Sequence, residues 1–169
     1  MNISAIGQDS HRFDTSAEGL KKPLILGGVI INNSRNHQEE NGIPGLSANS
    51  DGDVVLHAIT NAVSGITCVN ILGAPADEMC RSGITDSSKY LEESLKYLRG
   101  KILHVSISIE CLRPKITPVI PEMRQSIGRL LGIPESSVGI TATTGEGLTD
   151  FGRGLGISVF CILTAEVKK

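Results

Sequence analysis

Two histidines and an aspartate have the residue types and spacing of a metal-ligand set. Asp9 and His11 stand two residues apart at the end of a predicted strand, where the strand period turns both side chains to one side. His57 lies on a predicted helix, so the ligands come from two rigid elements. Catalytic zinc sites use three such nitrogen and oxygen ligands and keep one position open. Spacing alone leaves open that all three are ordinary polar residues of a strand end and a half-exposed helix face.

A glycine-rich segment near the carboxyl end has the composition of a phosphate site. Residues 141–147 combine threonine hydroxyls with glycine amides, and Arg153 adds a planar fork for phosphate oxygens. Glu146 is placed to hold a Mg²⁺ ion that bridges phosphates. The Gly-Lys-Ser/Thr ending of a Walker A loop is absent from this segment. The alternative is a flexible turn with a solvated arginine. Lys115, between two prolines, either meets a phosphate or base edge or is simply solvated.

Composition narrows the function classes. The 169 residues are 40% apolar, 20% charged and 3% aromatic, with no Trp and a net charge of −2. This disfavours nucleic-acid binding, which draws on basic residues and stacking aromatics. No apolar run approaches the roughly 18 residues of a membrane span. Four dispersed cysteines and the lack of a secretory signal predict reduced thiols and a cytoplasmic protein, and the length predicts one domain over 1–169.

The hydrophobic pattern predicts strands mixed with helices. The expected elements are strand Ile3–Gly7, a hairpin within Pro23–Asn32 turning at Gly27-Gly28, a helix from Ser50 to Gly65, a helix from Ser87 or Ser88 to Arg99, strand Ile102–Cys111, helix Pro121–Leu131, and strands Val138–Thr144 and Gly156–Thr164. This order predicts an α+β fold with helices on one face of the sheet. Small hydroxylated residues on the other face, such as Ser106 and Ser108, favour packing against another subunit.

Local signals add detail to these elements. Ser50 is the expected N-cap of the first helix, with Asp53 as its capping-box partner. Asp53, His57 and Asn61 repeat every four residues and are expected to share a polar face. Residues 66–86 and the polar segment Asn33–Gly45, which contains a solvated His37, are predicted loops. On the second helix, Glu92 and Lys96 are an expected ion pair.

Five motifs occur in an order that resembles a known family. They are Gly7-x-Asp9-x-His11, Ile25-x-Gly27-Gly28-Val29, Ser50-Asp51-Gly52-Asp53-Val54-x-x-His57-Ala58, Arg113-Pro114-Lys115 with Ile120-Pro121-x-Met123-Arg124, and Ala142-Thr143-Thr144-x-Glu146 with Gly152-Arg153-Gly154. Together they cover nearly the whole chain and resemble the 2-C-methyl-D-erythritol 2,4-cyclodiphosphate synthase family of non-mevalonate isoprenoid biosynthesis. The resemblance implies an α/β sandwich with a mainly four-stranded mixed sheet, and a homotrimer whose sheets pack around its axis.

The resemblance also implies a reaction and its metals. The family substrate is 4-diphosphocytidyl-2-C-methyl-D-erythritol 2-phosphate, whose 2-phosphate attacks the β-phosphorus to close a cyclic diphosphate and expel CMP, which makes the enzyme a phosphorus–oxygen lyase. Asp9, His11 and His57 are the implied ligands of Zn²⁺ or another divalent transition metal, with a substrate phosphate oxygen as fourth ligand. Glu146 is the implied ligand of a second ion, Mg²⁺ or Mn²⁺, that bridges the diphosphate.

Further residues take roles by position in the family motifs. Thr144 matches a hydroxyl that steadies the transferring phosphoryl group, and Asn49 stands where the family has a catalytic histidine donor. The implied substrate-binding residues, in a site between neighbouring subunits, are Asp9, His11, Asn49, Ser50, Gly73, Cys111, Pro114, Lys115, Thr143, Thr144, Glu146, Phe151 and Arg153. Arg153 also matches an arginine beside an axial channel that holds isoprenoid diphosphates.

The chain departs from the family pattern at several substrate contacts. Asn49 can donate a hydrogen bond but cannot carry the positive charge of the usual histidine. Ile71 replaces the aspartate that grips the ribose, residues 74–78 replace a flexible Phe-Pro-Asp loop, and Phe151 is displaced by one position. Segment 33–45 resembles an insertion. Two other functions therefore stay open: a metal-dependent phosphate-ester hydrolase, and a trimeric binding or regulatory module for isoprenoid diphosphates.

Overall fold

The main structural element is a mixed sheet of four strands. In the computed structural model, which describes residues 1–31 and 42–168, they are β1 (Asn2–Arg12), β4 (Gly100–Glu110), β5 (Val138–Thr143) and β6 (Gly156–Val167). Their order in the sheet is β1-β6-β4-β5, with β4 and β5 parallel and the other neighbours antiparallel. The predicted mixed four-stranded sheet is confirmed. β1 runs further than expected and contains Asp9 and His11.

A short hairpin, four α-helices and three single-turn 3₁₀ helices complete the described elements. The hairpin strands are β2 (Ile25–Leu26) and β3 (Val29–Ile30), and the α-helices are α1 (Val54–Thr67), α2 (Ala74–Arg81), α3 (Ser87–Leu95) and α4 (Ile120–Leu131). Both turn residues, Gly27 and Gly28, have positive φ, which suits the tight turns of two-residue hairpins. Residues 33–41 of the predicted loop, including His37, lie outside the described residues. Within the described ranges, no helix is both long and apolar enough to cross a membrane.

The core lies between the sheet and the helices. Strand β4 turns Val105, Ile107 and Ile109 inward at about 1% exposure or less. Helix α1 contributes a fully buried apolar stripe, formed by Val54, Val55, Ala58, Ile59, Ala62 and Val63. The opposite face of the sheet carries exposed residues, and three of them are large and apolar: Ile6, Phe160 and Ile162, each about half exposed or more. Ile6 and Ile162 are direct cross-strand partners. Helices therefore cover one face and leave an apolar patch, Ile6–Phe160–Ile162, on the other.

Helix α1 lies directly on strand β1 because Gly7 has no side chain. A Cβ at Gly7 would come within 2.0 Å of the Ala58 carbonyl oxygen and 2.5 Å of the Ala62 nitrogen, both on the helix backbone. No side chain fits that gap without moving the helix. The close contact places the first turn of α1 over the strand segment that begins at Gly7.

The start of α1 is fixed by Asp53 rather than by Ser50, so the predicted cap is wrong. The Asp53 carboxylate accepts hydrogen bonds from the Val55 and Leu56 amides and, from the hairpin turn, the Gly27 and Gly28 amides. Burial raises the pKa of Asp53 to about 6, and the amide hydrogen bonds oppose that rise. Asp53 is thus a buried clamp between α1 and the β2–β3 hairpin and not part of an exposed polar face.

Other helix boundaries also differ from the sequence expectation. Helix α1 continues past Gly65, where an added Cβ would lie 3.0 Å from the Ala5 Cβ, and ends at Thr67 with Cys68 as a left-handed C-cap. Residues 66–86 contain α2, an eight-residue helix with Ala76 as its single buried residue. Helix α3 is capped by Asp86 and ends at Leu95, because the chain then tightens into i→i+3 hydrogen bonds.

The ion pairs of α3 differ as well. Lys96 pairs with Glu93, and Glu92 pairs with Lys89, so the predicted Glu92–Lys96 pair is wrong. Both pairs span three residues instead of four, and three of the four side chains are about half exposed or more. Exposed pairs of this kind add little to stability.

Removing the Asp53 clamp should destabilise the protein more than removing an ordinary cap. Asp53→Ala leaves two hairpin amides and two helix amides without their acceptor, so we expect a loss of about 3 kcal/mol in the free energy of unfolding. Asp53→Asn keeps one oxygen and should lose about half as much. Urea denaturation at a fixed chain concentration measures both variants.

The N-cap of α3 supplies the control. Asp86 accepts from the Ser88 amide and is exposed, so Asp86→Ala should cost about 1 kcal/mol. Equal losses for Asp53→Ala and Asp86→Ala would contradict the clamp.

Candidate active site

Three ligand atoms converge where α1 crosses the end of β1. The Asp9 Oδ2 atom lies 2.9 Å from His57 Nδ1 and 3.1 Å from His11 Nε2, and the two histidine nitrogens are 3.3 Å apart. Within the described part of the chain this is the one group of three such residues with ligand atoms close enough for a metal ion. The predicted grouping of Asp9, His11 and His57 is present.

A main-chain contact orients the His11 ring so that its Nε2 atom faces Asp9 and His57. His11 Nδ1 lies 3.0 Å from the Ser47 carbonyl oxygen, which can only accept a hydrogen bond. The proton therefore sits on Nδ1, and Nε2 faces Asp9. The hydrogen bond with Asp9 raises the pKa of His11, against an opposing effect of burial.

His57 is the most enclosed member of the group, with 8% of its side chain exposed. Its Nδ1 atom faces Asp9, and its Nε2 atom lies 2.9 Å from Ser87 Oγ and 3.4 Å from Ser50 Oγ. Burial acts to raise the pKa of Asp9, but interactions with the His11 and His57 imidazoles outweigh it and hold that pKa far below the usual range. Asp9 is a carboxylate at neutral pH.

The group lies in an open cleft of about 620 Å³. Of the residues predicted to bind substrate, Asn49, Ser50 and Gly73 line the same cleft. The loop that carries Asn49 is held by Lys22, whose Nζ donates to the carbonyl oxygens of residues 46, 48 and 50 at 2.8–3.3 Å. His57 and Asn61 share the cleft face as predicted, whereas Asp53 does not.

Other predicted substrate residues line a second, smaller cleft of about 340 Å³. The predicted members there are Cys111, Pro114, Lys115, Thr143 and Thr144. They follow the carboxyl ends of the parallel pair β4 and β5, which are tied by a hydrogen bond from the Cys111 amide to the Thr143 carbonyl. Ligands of α/β proteins often bind at such strand ends.

Three predicted residues line neither of these two clefts in the described chain. Glu146 is exposed on a turn in a left-handed conformation, with φ at 50°. Arg153 is paired with Asp150 at 2.6 Å. Phe151 contributes its carbonyl oxygen to the Leu112 amide. Within one chain, most of the predicted site residues are therefore divided between two separate clefts. We call the larger one, with Asp9, His11 and His57, the metal-ligand cleft, and the smaller one the strand-end cleft.

Ile71, where the resemblance implies a ribose-binding aspartate, does not line the first cleft. It is 1% exposed and packs with Ala76 and Tyr90, so this position offers the cleft neither charge nor hydrogen bonds. Asp77, in the first turn of α2, lines the cleft instead.

Several residues near the site escaped the sequence analysis. Tyr90, Cys80 and Asp77 line the cleft because α2 and α3 close one side of it. Pro75 and Asp77 in the first turn of α2 and Arg81 in its last are signals that identify a helix there. The expected cap of α3, Ser87 or Ser88, is wrong: the N-cap is Asp86, which is also a strong N-cap residue type.

The amino-acid sequence matches a known protein family and its curated members. The profile of the YgbB family matches residues 3–166. Among curated relatives, proteins named 2-C-methyl-D-erythritol 2,4-cyclodiphosphate synthase from Chlamydia caviae and Chlamydia abortus are 55% and 54% identical over 162 residues. Each alignment covers 94% of this chain and 86% of the relative.

Solved structures have the same fold. The bifunctional IspDF from Campylobacter jejuni matches with a TM-score of 0.83 and 26% identity, over 100% of this chain and 43% of that one. A structure of 2C-methyl-D-erythritol-2,4-cyclodiphosphate synthase in a CDP-bound form matches with a TM-score of 0.77 and 25% identity, over 97% of this chain and 100% of that one. With its profile match along nearly the whole chain and relatives more than half identical, this chain belongs to the YgbB family.

Proposed function

We propose that the protein converts 4-diphosphocytidyl-2-C-methyl-D-erythritol 2-phosphate to 2-C-methyl-D-erythritol 2,4-cyclodiphosphate and CMP, as a phosphorus–oxygen lyase of non-mevalonate isoprenoid biosynthesis. The observation that carries the proposal is the convergence of Asp9, His11 and His57 in the larger cleft of a YgbB-family chain. The names of its relatives supply the product.

The donor set fits a divalent transition metal. A carboxylate oxygen and two imidazole nitrogens converge, and the far nitrogen of each ring contacts a protein oxygen, as in many metal sites. Asp9, His11 and His57 would hold the ion, with Zn²⁺ as our first choice, although such a site also suits other transition metals. A divalent ion bound there supplies Lewis-acid charge neutralisation for a diphosphate.

The charge of the cleft explains why a cation is needed. Three aspartates, Asp9, Asp14 and Asp77, are among the described lining residues, with His11 and His57 as the basic ones. A substrate with three phosphate groups would be repelled by this lining in the absence of bound cations. Asn49, in place of a basic family residue, leaves still more of the neutralisation to metal ions.

The chain's own residues position the reacting groups. A 2-phosphate oxygen forms a bond to the β-phosphorus, the bond from that phosphorus to the CMP oxygen breaks, and CMP leaves with the electron pair. Such transfers depend on alignment and charge stabilisation more than on covalent catalysis. We assign Asn49 as an amide donor to a phosphate oxygen and Thr144 as a hydroxyl donor to the transferring group.

The strand-end cleft is the proposed site of the cytidine diphosphate. Its lining includes Cys111, Pro114, Lys115 and Thr143, and a structurally similar synthase is known in a CDP-bound form. We place Glu146 as the ligand of a Mg²⁺ or Mn²⁺ ion on the diphosphate. Ser50, Gly73 and Phe151 are assigned as further contacts, and Arg153 as a contact for isoprenoid diphosphates in an axial channel.

We further propose a homotrimer whose complete site forms between subunits. Within one chain the metal-ligand cleft and the strand-end cleft are separate, so a neighbouring chain would bring the second beside the first. The Ile6–Phe160–Ile162 patch supports the same assembly, since large exposed apolar patches mark interaction surfaces.

The assembly is tested by sedimentation. The protein should sediment as three chains of 17.9 kDa. Ile162→Asp, which puts a charge in the apolar patch, should shift it to single chains and abolish CMP release. Ile30→Asp, at an exposed isoleucine of the hairpin, should do neither. Sedimentation of the unaltered protein as single chains would exclude the trimer.

Turnover is tested with metal-free protein and the cytidine diphosphate substrate. CMP and a cyclic diphosphate, identified by phosphorus NMR, should form only after Zn²⁺ and Mg²⁺ are supplied. His57→Ala should bind less metal and release CMP at least about 10²-fold more slowly, because it loses one ligand. Linear phosphate products would indicate the hydrolase, and binding without CMP would indicate the regulatory module.

Metal binding should depend on pH through His11. Because its pKa is raised, His11 of the metal-free protein keeps a proton at pH values where a free histidine has lost it. Affinity should therefore be full above the raised pKa and fall as the pH drops through it, by about tenfold per unit for each proton displaced. Competition with a chromophoric chelator between pH 5.5 and pH 8 (roughly the range in which histidine titrates) measures this. A flat profile would contradict it.

A further inference from the structure

We propose that Ser87 is a positioning residue for the metal site: linked to Asp51, it holds His57 in the tautomer whose Nδ1 lone pair faces the ligand group. The inference deepens the proposed function, on which it rests for the metal. Ser87 lies outside the predicted site residues and belongs to α3, which carries none of the three ligands.

Ser87 is held from two directions at the first position of α3. Its side chain is fully buried, its Oγ atom hydrogen-bonds to Asp51 Oδ1, and its amide donates to Asp51 Oδ2 at 3.1 Å. The Asp51 amide in turn donates to the Thr85 carbonyl at 2.8 Å. Three hydrogen bonds therefore fix the start of α3 to the loop before α1, with the serine hydroxyl 2.9 Å from His57 Nε2.

Counting donors decides the direction of each hydrogen bond. A carboxylate only accepts, and serine has a single O–H, so Ser87 donates to Asp51 and has only lone pairs left for His57. His57 donates to Ser87 only when its Nε2 carries the proton. Asp9 Oδ2, 2.9 Å from Nδ1, competes for the proton of a neutral ring. The Ser87 contact opposes that competition and favours the tautomer protonated on Nε2, whose Nδ1 lone pair is free to bind an ion.

The tautomer of His11 is also set by a hydrogen-bond acceptor, but in this case the acceptor is a main-chain group. There the acceptor is the Ser47 carbonyl, a main-chain group that no substitution removes. Ser50 Oγ also approaches His57 Nε2, at 3.4 Å, but it accepts from the Gly52 amide and stands further away. Ser87 is thus the side chain through which the tautomer of a ligand can be tested.

Two variants in the full-length protein test the relay, by which we mean the hydrogen-bonded series Asp51–Ser87–His57. Ser87→Ala removes the acceptor and should weaken Co²⁺ or Zn²⁺ binding by about 10- to 100-fold, the usual effect of losing a partner of a metal-binding histidine. Asp51→Asn keeps the shape but turns the Asp51 end of the relay into an N–H donor. The Ser87 hydroxyl can then donate to His57 Nε2, which moves the ring proton to Nδ1.

The direct readout is nitrogen NMR of the imidazoles in metal-free protein. Relative to the unaltered protein, Ser87→Ala and Asp51→Asn should both show less protonation of His57 Nε2 and more of Nδ1, because Asp9 is then the stronger competitor for the ring proton. The shift should be larger in Asp51→Asn. Ser87→Thr, which restores a hydroxyl, should recover the nitrogen pattern. Ser88→Ala, one residue further along α3 and partly exposed, is the matched control and should change neither affinity nor pattern.

Unchanged His57 nitrogen shifts in both Ser87→Ala and Asp51→Asn would overturn the proposal. So would a loss of metal affinity in Ser87→Ala with an unchanged nitrogen pattern, since the serine would then act by packing alone. Metal alone is the probe and no substrate is present, so these results are independent of turnover. If the unaltered protein shows the relay but releases no CMP, the proposed function fails and the relay stands.

Discussion

The direct contact between β1 and α1 is the constraint on which the site depends. Gly7 allows the backbone of α1 to lie against the strand, and two residues later Asp9 points toward the first turn of that helix. Asp53 then fixes where the helix starts and therefore which residue faces Asp9. The ligand group is thus a consequence of backbone packing, and its members do not depend on a flexible loop for their positions.

The elements around the group orient its side chains by means of hydrogen bonds. Lys22 donates hydrogen bonds to three carbonyl oxygens of the loop before α1. The same loop places the Ser47 carbonyl oxygen next to His11. On the other side α3 presents Ser87 to His57. Each ring therefore has one nitrogen engaged by the protein while the other faces Asp9. A preorganised arrangement of this kind avoids the cost of ordering ligands when an ion or a phosphate binds.

Local patterns predicted the strands and the hairpin, because alternation and paired glycines are visible along the chain. Residue type and spacing made Asp9, His11 and His57 a candidate ligand set, and the ordered family motifs made that candidate a prediction. Local patterns did not predict α2, since a helix with only Ala76 buried has no apolar period to detect. The role of Asp53 was missed for a different reason. Its hairpin partners, Gly27 and Gly28, lie about 25 residues earlier, and that contact exists only after folding. Ser87 escaped for the same reason, since its partner Asp51 is 36 residues away.

The charges of the two clefts suggest why such a site would be shared between chains. The metal-ligand cleft is acidic, with three aspartates in its lining, whereas Lys115 and threonine hydroxyls line the strand-end cleft. An acidic cleft concentrates cations, and a cation-loaded cleft next to a lysine and hydroxyl donors suits a diphosphate better than either surface alone. In the proposed trimer, assembly would bring these two surfaces together. The apolar face of the sheet, by holding the subunits together, would then also complete the site where the reaction takes place.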